Sequence, residues 1–159
     1  MFGMLDGERV RAASSGALET ASAVKDGVRA QPDIGVIATR KDWQIDVLVW
    51  NYHDDDIAAD QASIDLKIEG VPVSAGFGVV KHFRIDSIHS NAFTSWKQMG
   101  SPESLTSEQK EKLERDGQLQ LLSSPESVVI DKGSLDLKFK LPRQAVSLLR
   151  ITWKDNSQN

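Results

Sequence analysis

The sequence predicts an all-β protein, an antiparallel β-sandwich with one or two short surface helices. About seven short segments either alternate apolar and polar residues or are continuously apolar, as strands do. Turn-forming residues separate these segments, and only one strongly helical segment interrupts them. The chain also lacks the regular strand–helix alternation of a (β/α)8 barrel. At 159 residues it is much shorter than the roughly 250 residues that such a barrel usually takes.

The first two predicted strands form a hairpin. Residues 33–39 (DIGVIAT) precede residues 44–52 (QIDVLVWNY), and the polar linker between them suits a turn. The second segment is apolar on both faces through its middle, which predicts a central strand that is covered on both sides.

Two later segments alternate strictly. Residues 63–69 (SIDLKIE) and 134–141 (SLDLKFKL) place apolar side chains on one face and polar side chains on the other. Each therefore predicts a strand with one buried and one solvated face, and Gly133 supplies a turn into the second. Three further strands are predicted at 78–86, 126–131 and 145–153.

The strongest helix signal is TSEQKEKLERDG, residues 106–117. Thr106 and Gln109 have the spacing of a capping box, and Gly117 can end the helix in a left-handed conformation. Glu108 with Lys112 is an i,i+4 pair in the favourable order, as is Glu111 with Arg115. Residues 90–100 predict a second, weaker helix, and residues 16–27 predict either a short helix or an irregular crossover.

Composition excludes several classes of partner and site. The net charge is −4 and no basic tract exceeds two residues, so no nucleic-acid partner is expected. No apolar run approaches the roughly 20 residues that span a bilayer, so no membrane partner is expected. The absence of cysteine excludes disulfides, thiolate metal sites and a cysteine nucleophile, and it leaves the compartment open.

The stretch His53-Asp54-Asp55-Asp56 raises the question of a metal site or of paired catalytic acids. Adjacent residues of an extended chain point in opposite directions, so these four side chains do not readily converge on one ion, and the glycine of a calcium loop is missing. The stretch predicts instead a solvated loop at a strand end, with aspartates that accept bonds from backbone N–H groups. No metal or other cofactor is expected.

Other candidate constellations are also weak. The acidic residues fall on solvated strand faces, in this loop and on the helix, which does not predict two carboxylates in a concave glycosidase site. Ser90, His89 and Asp86 could be drawn as a triad, but no glycine-flanked nucleophile elbow surrounds the serine. A sugar-stacking platform or ordinary packing are both open for the larger aromatics, and packing is favoured: Trp43, Trp50, Tyr52, Trp96 and Trp153.

Five longer motifs resemble, in order, the C-terminal part of bacterial β-xylosidases of glycoside hydrolase family 39. They are GVRAQPDIGVIATR, VLVWNYHDDD, KHFRIDSIHSNAFTSWKQMGSP, LTSEQKEKLERDGQLQLL and LPRQAVSLLRITW. The resemblance implies enzymes built from a catalytic (β/α)8 barrel, a β-sandwich packed against it and a small helical segment. It also implies release of xylose from non-reducing ends of xylooligosaccharides, with retention of configuration, by two glutamates of the barrel.

The resemblance assigns no catalytic residue to this chain. The family's acid/base glutamate follows an asparagine, whereas Asn51, Asn91 and Asn156 precede Tyr, Ala and Ser. The chain therefore corresponds to an accessory domain that lacks the barrel, and the chain alone is expected to be inactive. The rival expectations are a free-standing carbohydrate-binding module and, less favoured, a hydrolase in its own right.

The resemblance also implies an organisation and a set of partners. Residues 1–7 would be the remnant of the last barrel helix or its linker, residues 8–154 the sandwich with a helical insertion at about 90–117, and residues 155–159 a polar tail. The barrel is the expected partner, xylooligosaccharide would be met only through the parent enzyme, and self-association is a further expectation. The residues expected at the barrel interface or near substrate are His53, Asp54, His89, Asn91, Phe93, Trp96 and Met99.

Overall fold

The computed structural model describes residues 1–73 and 75–154, and the predicted polar tail lies outside them. The described residues form nine β-strands, three α-helices and one 3-10 turn, Phe2–Met4. The helices are α1 (Thr20–Asp26), α2 (Ala92–Gln98) and α3 (Ser107–Asp116). The strands are β1 (Glu8–Val10), β2 (Asp33–Lys41), β3 (Gln44–Tyr52), β4 (Ala62–Glu69), β5 (Ala75–Ile85), β6 (Gln120–Leu121), β7 (Glu126–Asp131), β8 (Ser134–Leu141) and β9 (Ala145–Trp153).

The strands form one curled antiparallel sheet in the order β1-β2-β3-β9-β5-β7-β8-β4, with β6 added beside β5. Strands β7 and β8 pair only at Asp131 and Ser134, next to their turn, and then diverge. Apolar residues of β4 and β8 join one core cluster with those of β3 and β9. The sheet therefore folds back on itself, and the all-β sandwich predicted from the sequence is confirmed.

Strand register assigns the two faces of the main layer. Val47 of β3 pairs with Leu149 of β9, and both belong to the core beneath β4 and β8. We call this the inner face. Leu48 pairs with Leu148 on the opposite, outer face, and both leucines are less than 2% exposed. Strand β3 lies between β2 and β9 and is buried on both faces, as its apolar pattern predicts.

Two short strands, β1 and β6, were not predicted. Strand β1 has three residues and β6 has two, and neither has enough alternating positions for a period of two to appear. Each of the seven longer strands overlaps a segment predicted to be a strand, and β5 begins three residues earlier than predicted.

The capping box of α3 is present. The Thr106 hydroxyl accepts a bond from Gln109 N at 3.2 Å, and Thr106 N donates to Gln109 Oε1 at 2.9 Å. The prediction for Gly117 is wrong, because its φ is −84°, an ordinary right-handed value. A Cβ at this position would lie 3.3 Å from the Cβ of Ala92. The glycine therefore allows the end of α3 to approach the start of α2.

The other helix predictions concern α1 and the ion pairs of α3. Residues 20–26 form a true helix, which settles the alternative of an irregular crossover. Among the described ion pairs, Lys112 binds Asp116 at 2.6 Å and not its predicted partner Glu108. Both side chains are solvated, so the exchange of partner changes stability little. No helix within the described residues is long and apolar enough to cross a membrane.

Residues 1–7 are ordered by packing on the outer face. The backbone oxygen of Met4 accepts a bond from the Arg150 guanidinium at 2.6 Å, and Asp6 pairs with Lys41 at 2.7 Å. Gly7, with φ 84°, then turns the chain into β1. Their origin in a barrel helix remains a prediction.

Candidate functional site

His53 lies at the end of β3 and is buried by its own loop. Its Nε2 donates to the backbone oxygen of Arg29 at 2.9 Å, and its Nδ1 accepts from Asp55 N at 3.0 Å. Both ring nitrogens are therefore occupied by backbone groups, which leaves neither free to bind an ion or a substrate.

Asp54 ties the same loop to the segment that precedes β2. Its carboxylate accepts from Val28 N at 3.0 Å and from Arg29 Nε at 3.4 Å. The bond from Val28 N is the main reason that the pKa of Asp54 lies below its ordinary value. The hydrogen bond to this carboxylate raises the pKa of Tyr52. Asp54 therefore ties its loop to the segment before β2, and the described residues contain no cluster of three side chains suited to a metal ion.

The other predicted site residues run from His89 to Met99, and His89 lies in a compact loop that follows β5. The buried Asp86 carboxylate accepts from the His89 ring at 2.9 Å and from the backbone N–H groups of Ile88 and His89, each at 2.8 Å. Burial alone would raise the pKa of Asp86, but these bonds outweigh it and lower the pKa.

Ser90 completes the loop without forming a triad. It adopts a left-handed φ of 53°, and its hydroxyl accepts from Gln120 N at 2.9 Å. The serine is buried, so its oxygen is not available as a nucleophile. The structure brings Asp86 and His89 together, but the Ser90 hydroxyl binds the backbone of β6 instead.

Asn91 connects this loop to α2. Its Oδ1 caps the helix by accepting from Thr94 N at 3.1 Å, and its Nδ2 donates to the Asp86 backbone oxygen at 2.7 Å. The asparagine is therefore a helix cap, and its position is explained without any ligand.

Phe93 and Trp96 lie on α2, and Met99 is the residue that caps its C-terminal end. The rings of Phe93 and Trp96 stack with centroids 5.7 Å apart, and Lys97 Nζ lies 4.6 Å from the Phe93 centroid. Trp96 Nε1 donates to the backbone oxygen of Pro102 at 3.1 Å. Phe93 is 58% exposed, whereas Trp96 and Met99 are half-buried. The helix thus offers one exposed aromatic ring supported by a second.

The two predicted groups remain separate. Within residues 1–73 and 75–154, no hydrogen bond or ion pair joins the loop of His53 and Asp54 to the segment from His89 to Met99. The sequence reasoning therefore identified two local structures, and the structure does not unite them into one site.

A buried polar network on the inner face was missed. Ser147 is fully buried; its hydroxyl accepts from Arg84 Nε and lies 2.8 Å from His82 Nε2. Arg84 also donates to the backbone oxygen of Lys140 at 2.9 Å. Burial, with the neighbouring charge of Arg84, lowers the pKa of His82 to about 4, so the imidazole is neutral at pH 7. The sequence signal that could have revealed this network is the alternation of polar residues at 82 and 84 of β5, which Asp86 continues after the strand ends.

No described carboxylate has the surroundings of a general acid. Glu126 and Asp136 line a groove between the diverging β7 and β8, but both side chains are exposed. A glycosidase acid needs a raised pKa. Among the described residues, each carboxyl group with a shifted pKa is shifted downward: Asp6, Asp54, Glu69, Asp86 and Asp116.

The four tryptophans do not form a row. Trp43 lies in the β2–β3 turn, Trp50 on the outer face, and Trp96 in α2. Trp153 is buried in the inner core. A platform for sugar stacking needs coplanar, exposed rings, and this arrangement does not provide one.

Trp50 instead lies flat across its neighbour strand. A Cβ built on Gly35 would lie 2.0 Å from Cζ2 of the indole, so the ring occupies the space that a side chain at 35 would take. The indole Nε1 donates to Asp33 at 2.8 Å. Beside it, a mainly apolar hollow of about 280 Å³ is lined by Phe2, Leu48 and Tyr52 among others.

Solved structures that resemble this chain include glycosidases. A GH39 enzyme from Xanthomonas axonopodis pv. citri matches with a TM-score of 0.62 at 17% identity, over 74% of this chain and 25% of that one. A monomeric β-xylosidase from Caulobacter crescentus CB15 matches with a TM-score of 0.52 at 17% identity, over 74% and 26%. A bacterial orthologue of human α-L-iduronidase matches with a TM-score of 0.55 at 16% identity, over 79% and 23%.

The chain thus spans about a quarter of the length of the structures that it matches. Identities of this size establish the shared fold alone. No curated protein sequence matches the chain. The sequence profile described as Glycosyl hydrolases family 39 matches residues 1–121, which is more than half of the chain. The chain therefore belongs to glycosyl hydrolase family 39, as a partial region of a family member.

Proposed function

We propose that the chain is the non-catalytic β-sandwich accessory domain of a family 39 glycosidase, and that its role is to support the catalytic barrel. The observation that carries the proposal is the chain's share of length, about a quarter of the solved glycosidases that it matches. The side chains agree with a supporting role, because His53, Asp54 and Asn91 are all bound to backbone groups. Such bonds fix loops and do not present groups to a substrate.

The proposed parent activity is that of a β-xylosidase. One of the matched structures is a monomeric β-xylosidase, and the motifs of the sequence resemble this class. The substrate would be a xylooligosaccharide, cleaved at its non-reducing end by residues outside this chain. The catalytic part of the parent enzyme would bind the sugar, and the sandwich would be associated with the sugar only through the parent enzyme.

An assay of the purified chain with an aryl β-xyloside tests the non-catalytic role. We expect no turnover, while a full-length family 39 β-xylosidase assayed in parallel releases the aryl group. Turnover that stays with the chain through repeated purification would overturn the proposal. A substitution of Glu126 or Asp136 that abolished such turnover would place the reaction in the β7–β8 groove.

A free-standing carbohydrate-binding module is the second candidate, and one observation bears on it. Trp50 and Tyr52 project from alternate positions of β3 on the outer face, next to the exposed ring of Phe2. Titration with xylohexaose, followed by tryptophan fluorescence, distinguishes the candidates. The accessory role predicts no saturable change, whereas a binding module predicts one that Tyr52→Ala weakens.

A further inference from the structure

Strand β4 is a long edge of the sheet that no other strand covers in the described part of the chain. It pairs with β8 through eight consecutive residues, Ala62–Glu69, and β8 is its one strand partner there. Because backbone N–H and C=O groups alternate in direction along a strand, half of those of β4 point away from β8. The strand contains no proline, and its register with β8 contains no bulge. Proteins normally shorten, distort or cover an edge of this kind.

Residues 11–14, which we call the strap, lie beside this edge. They continue the chain from β1 and line two hollows together with β4. The hollow of about 380 Å³ is lined in part by residues 10–13 and 66–70, and that of about 280 Å³ by residues 13–16 and 62–66. Rising residue numbers in the strap thus match falling numbers in β4, as in an antiparallel pair. Among the described residues, no backbone hydrogen bond joins the strap to β4.

Closing these hollows would bury apolar surface. Val36 and Leu66 line both hollows, and each is only half-buried although it packs against the inner core. The strap beside them contains three small residues in succession, Ala12, Ala13 and Ser14, which leave room for a close approach. Movement of the strap toward β4 would remove Val36 and Leu66 from water and would pair backbone groups on both sides.

Two rules select one register for such a pair. Val10 packs against the inner core, so continuation of β1 as a strand would turn residues 12 and 14 inward, the direction in which Leu66 of β4 already points. Residues that lie opposite each other share a face, which leaves two registers near the observed alignment. One places Arg11 opposite Glu69, and the other places Arg11 opposite Lys67. Opposite charges stabilise a cross-strand pair and like charges destabilise it, so the first register is favoured.

We propose that the strap is a closing strand, which moves onto the free edge of β4 with Arg11 opposite Glu69. Strands β1 and β4 are the two ends of the strand order, so this movement joins the ends and converts the open sandwich into a closed barrel. Closure removes the long edge, whereas the open form presents that edge to other chains. The strap therefore protects the domain from edge-to-edge association, and this role does not depend on the proposed function.

Disulfide cross-linking tests the closure. The chain has no cysteine, so Ala13→Cys with Lys67→Cys introduces two thiols only, at two exposed positions. The closed form places these residues opposite each other, with Cα atoms about 4.5–5.5 Å apart and within reach of a disulfide. The matched pair Ala13→Cys with Asp65→Cys belongs to the rejected register. We expect the first pair to form its disulfide at least tenfold faster during mild oxidation of dilute protein, measured by mass spectrometry after the remaining thiols are blocked.

The other possible results of this experiment contradict the proposal. Equal rates, or faster reaction of the pair at 13 and 65, would show that the strap does not close in this register. Disulfides between chains in place of the internal one would assign the β4 edge to a second copy. If circular dichroism shows that the first double variant is unfolded when reduced, Arg11→Cys with Glu69→Cys tests the same register.

A charge exchange tests the pairing of Arg11 with Glu69. Arg11→Glu, added to the pair of cysteines at 13 and 67, places like charges opposite each other and should slow the cross-linking at least fivefold. Further addition of Glu69→Arg should restore the original rate, because the two charges are again opposite in sign. A rate that Arg11→Glu leaves unchanged, or that Glu69→Arg does not restore, would overturn the proposed closure.

Discussion

Strands β3 and β9 bury apolar side chains on both faces, but the two faces are covered by different means. On the inner face, β4 and β8 lie over residues such as Val47 and Leu149 and close the core. On the outer face, Phe2 of the N-terminal turn lies beside Leu48, and the Met4 oxygen of the same turn accepts a bond from Arg150. Two full strands therefore lie over the inner face, whereas a short N-terminal turn packs on the outer face.

Adjacent leucines of β9 give the largest test of this difference. Leu149→Ala should lower the free energy of unfolding by about 3–4 kcal/mol, because β4 and β8 cannot collapse into the cavity. Leu148→Ala should cost about 2 kcal/mol, since the N-terminal turn can settle toward the gap. Urea unfolding of both variants measures the two values. Equal costs would show that the outer face is as rigidly covered as the inner one.

The ion pair under the N-terminal turn should be nearly as sensitive. Arg150→Met leaves the buried Asp46 carboxylate without its cation and should cost about 3 kcal/mol in urea unfolding. The double variant Asp46→Leu with Arg150→Met should recover more than half of that loss, because no buried charge remains. A double variant as unstable as the single one would mean that the bond from Arg150 to the Met4 oxygen, not the charge, is what matters.

The inner face has a pH-dependent component at His82. The pKa of His82 falls from 6.5 to about 4 on folding, so folding favours the neutral ring. The free energy of unfolding is highest above pH 6.5, where the ring is neutral in both states. It falls as the pH decreases toward 4, where the folded state must also take up the proton. We expect a loss of about 2 kcal/mol across this window, reduced from the full value because the ring is partly solvated.

Unfolding curves between pH 7 and 4 measure this loss, and His82→Gln is the control. The variant should have a flatter profile over the same window. Below about pH 4, protonation of Asp86 adds a second loss, because its pKa is lowered in the folded state. An unchanged slope in His82→Gln would assign the pH dependence to other groups.

The smallest effect is expected at the rim of the outer face. Phe2→Ser should change the free energy of unfolding by less than about 0.5 kcal/mol, because the ring is largely solvated in the isolated domain. The measurement is again urea unfolding. A cost above about 1.5 kcal/mol would show that Phe2 completes the fold.

How far the sequence predicts this molecule depends on the range of the interactions. The seven longer strands, the β2–β3 hairpin and the α3 capping box follow from local periodicity and side-chain reach, and all were predicted. The pairing of Leu48 with Leu148 on the outer face depends on register between strands 100 residues apart, which no local pattern contains. The predicted left-handed conformation of Gly117 was wrong for the same reason, since the approach of Ala92 to Gly117 is a tertiary contact.

The candidate residues show the same limit. His53 and Asp54 were correctly interpreted as parts of a strand-end loop in which an aspartate accepts from backbone N–H groups. The donor itself, Val28 N, lies 26 residues from Asp54 and could not be identified locally. The partner of His82 could not be found in this way, since Ser147 is 65 residues away. Polar residues inside a buried strand indicate that a partner exists, and only the fold identifies it.

Gly35 and Trp50 share a single volume, and this has a consequence for how the sequence can change. The indole fills the space beside the Gly35 backbone, so Gly35→Ala alone would force the ring out of contact with Asp33. Trp50→Leu alone would leave that space empty. The two changes together should be tolerated far better than the sum of their separate costs, which is the signature of coupled neighbours. Positions 35 and 50 are therefore expected to change together during evolution. A side chain can be accommodated at position 35 only if the ring at position 50 is replaced by a smaller group.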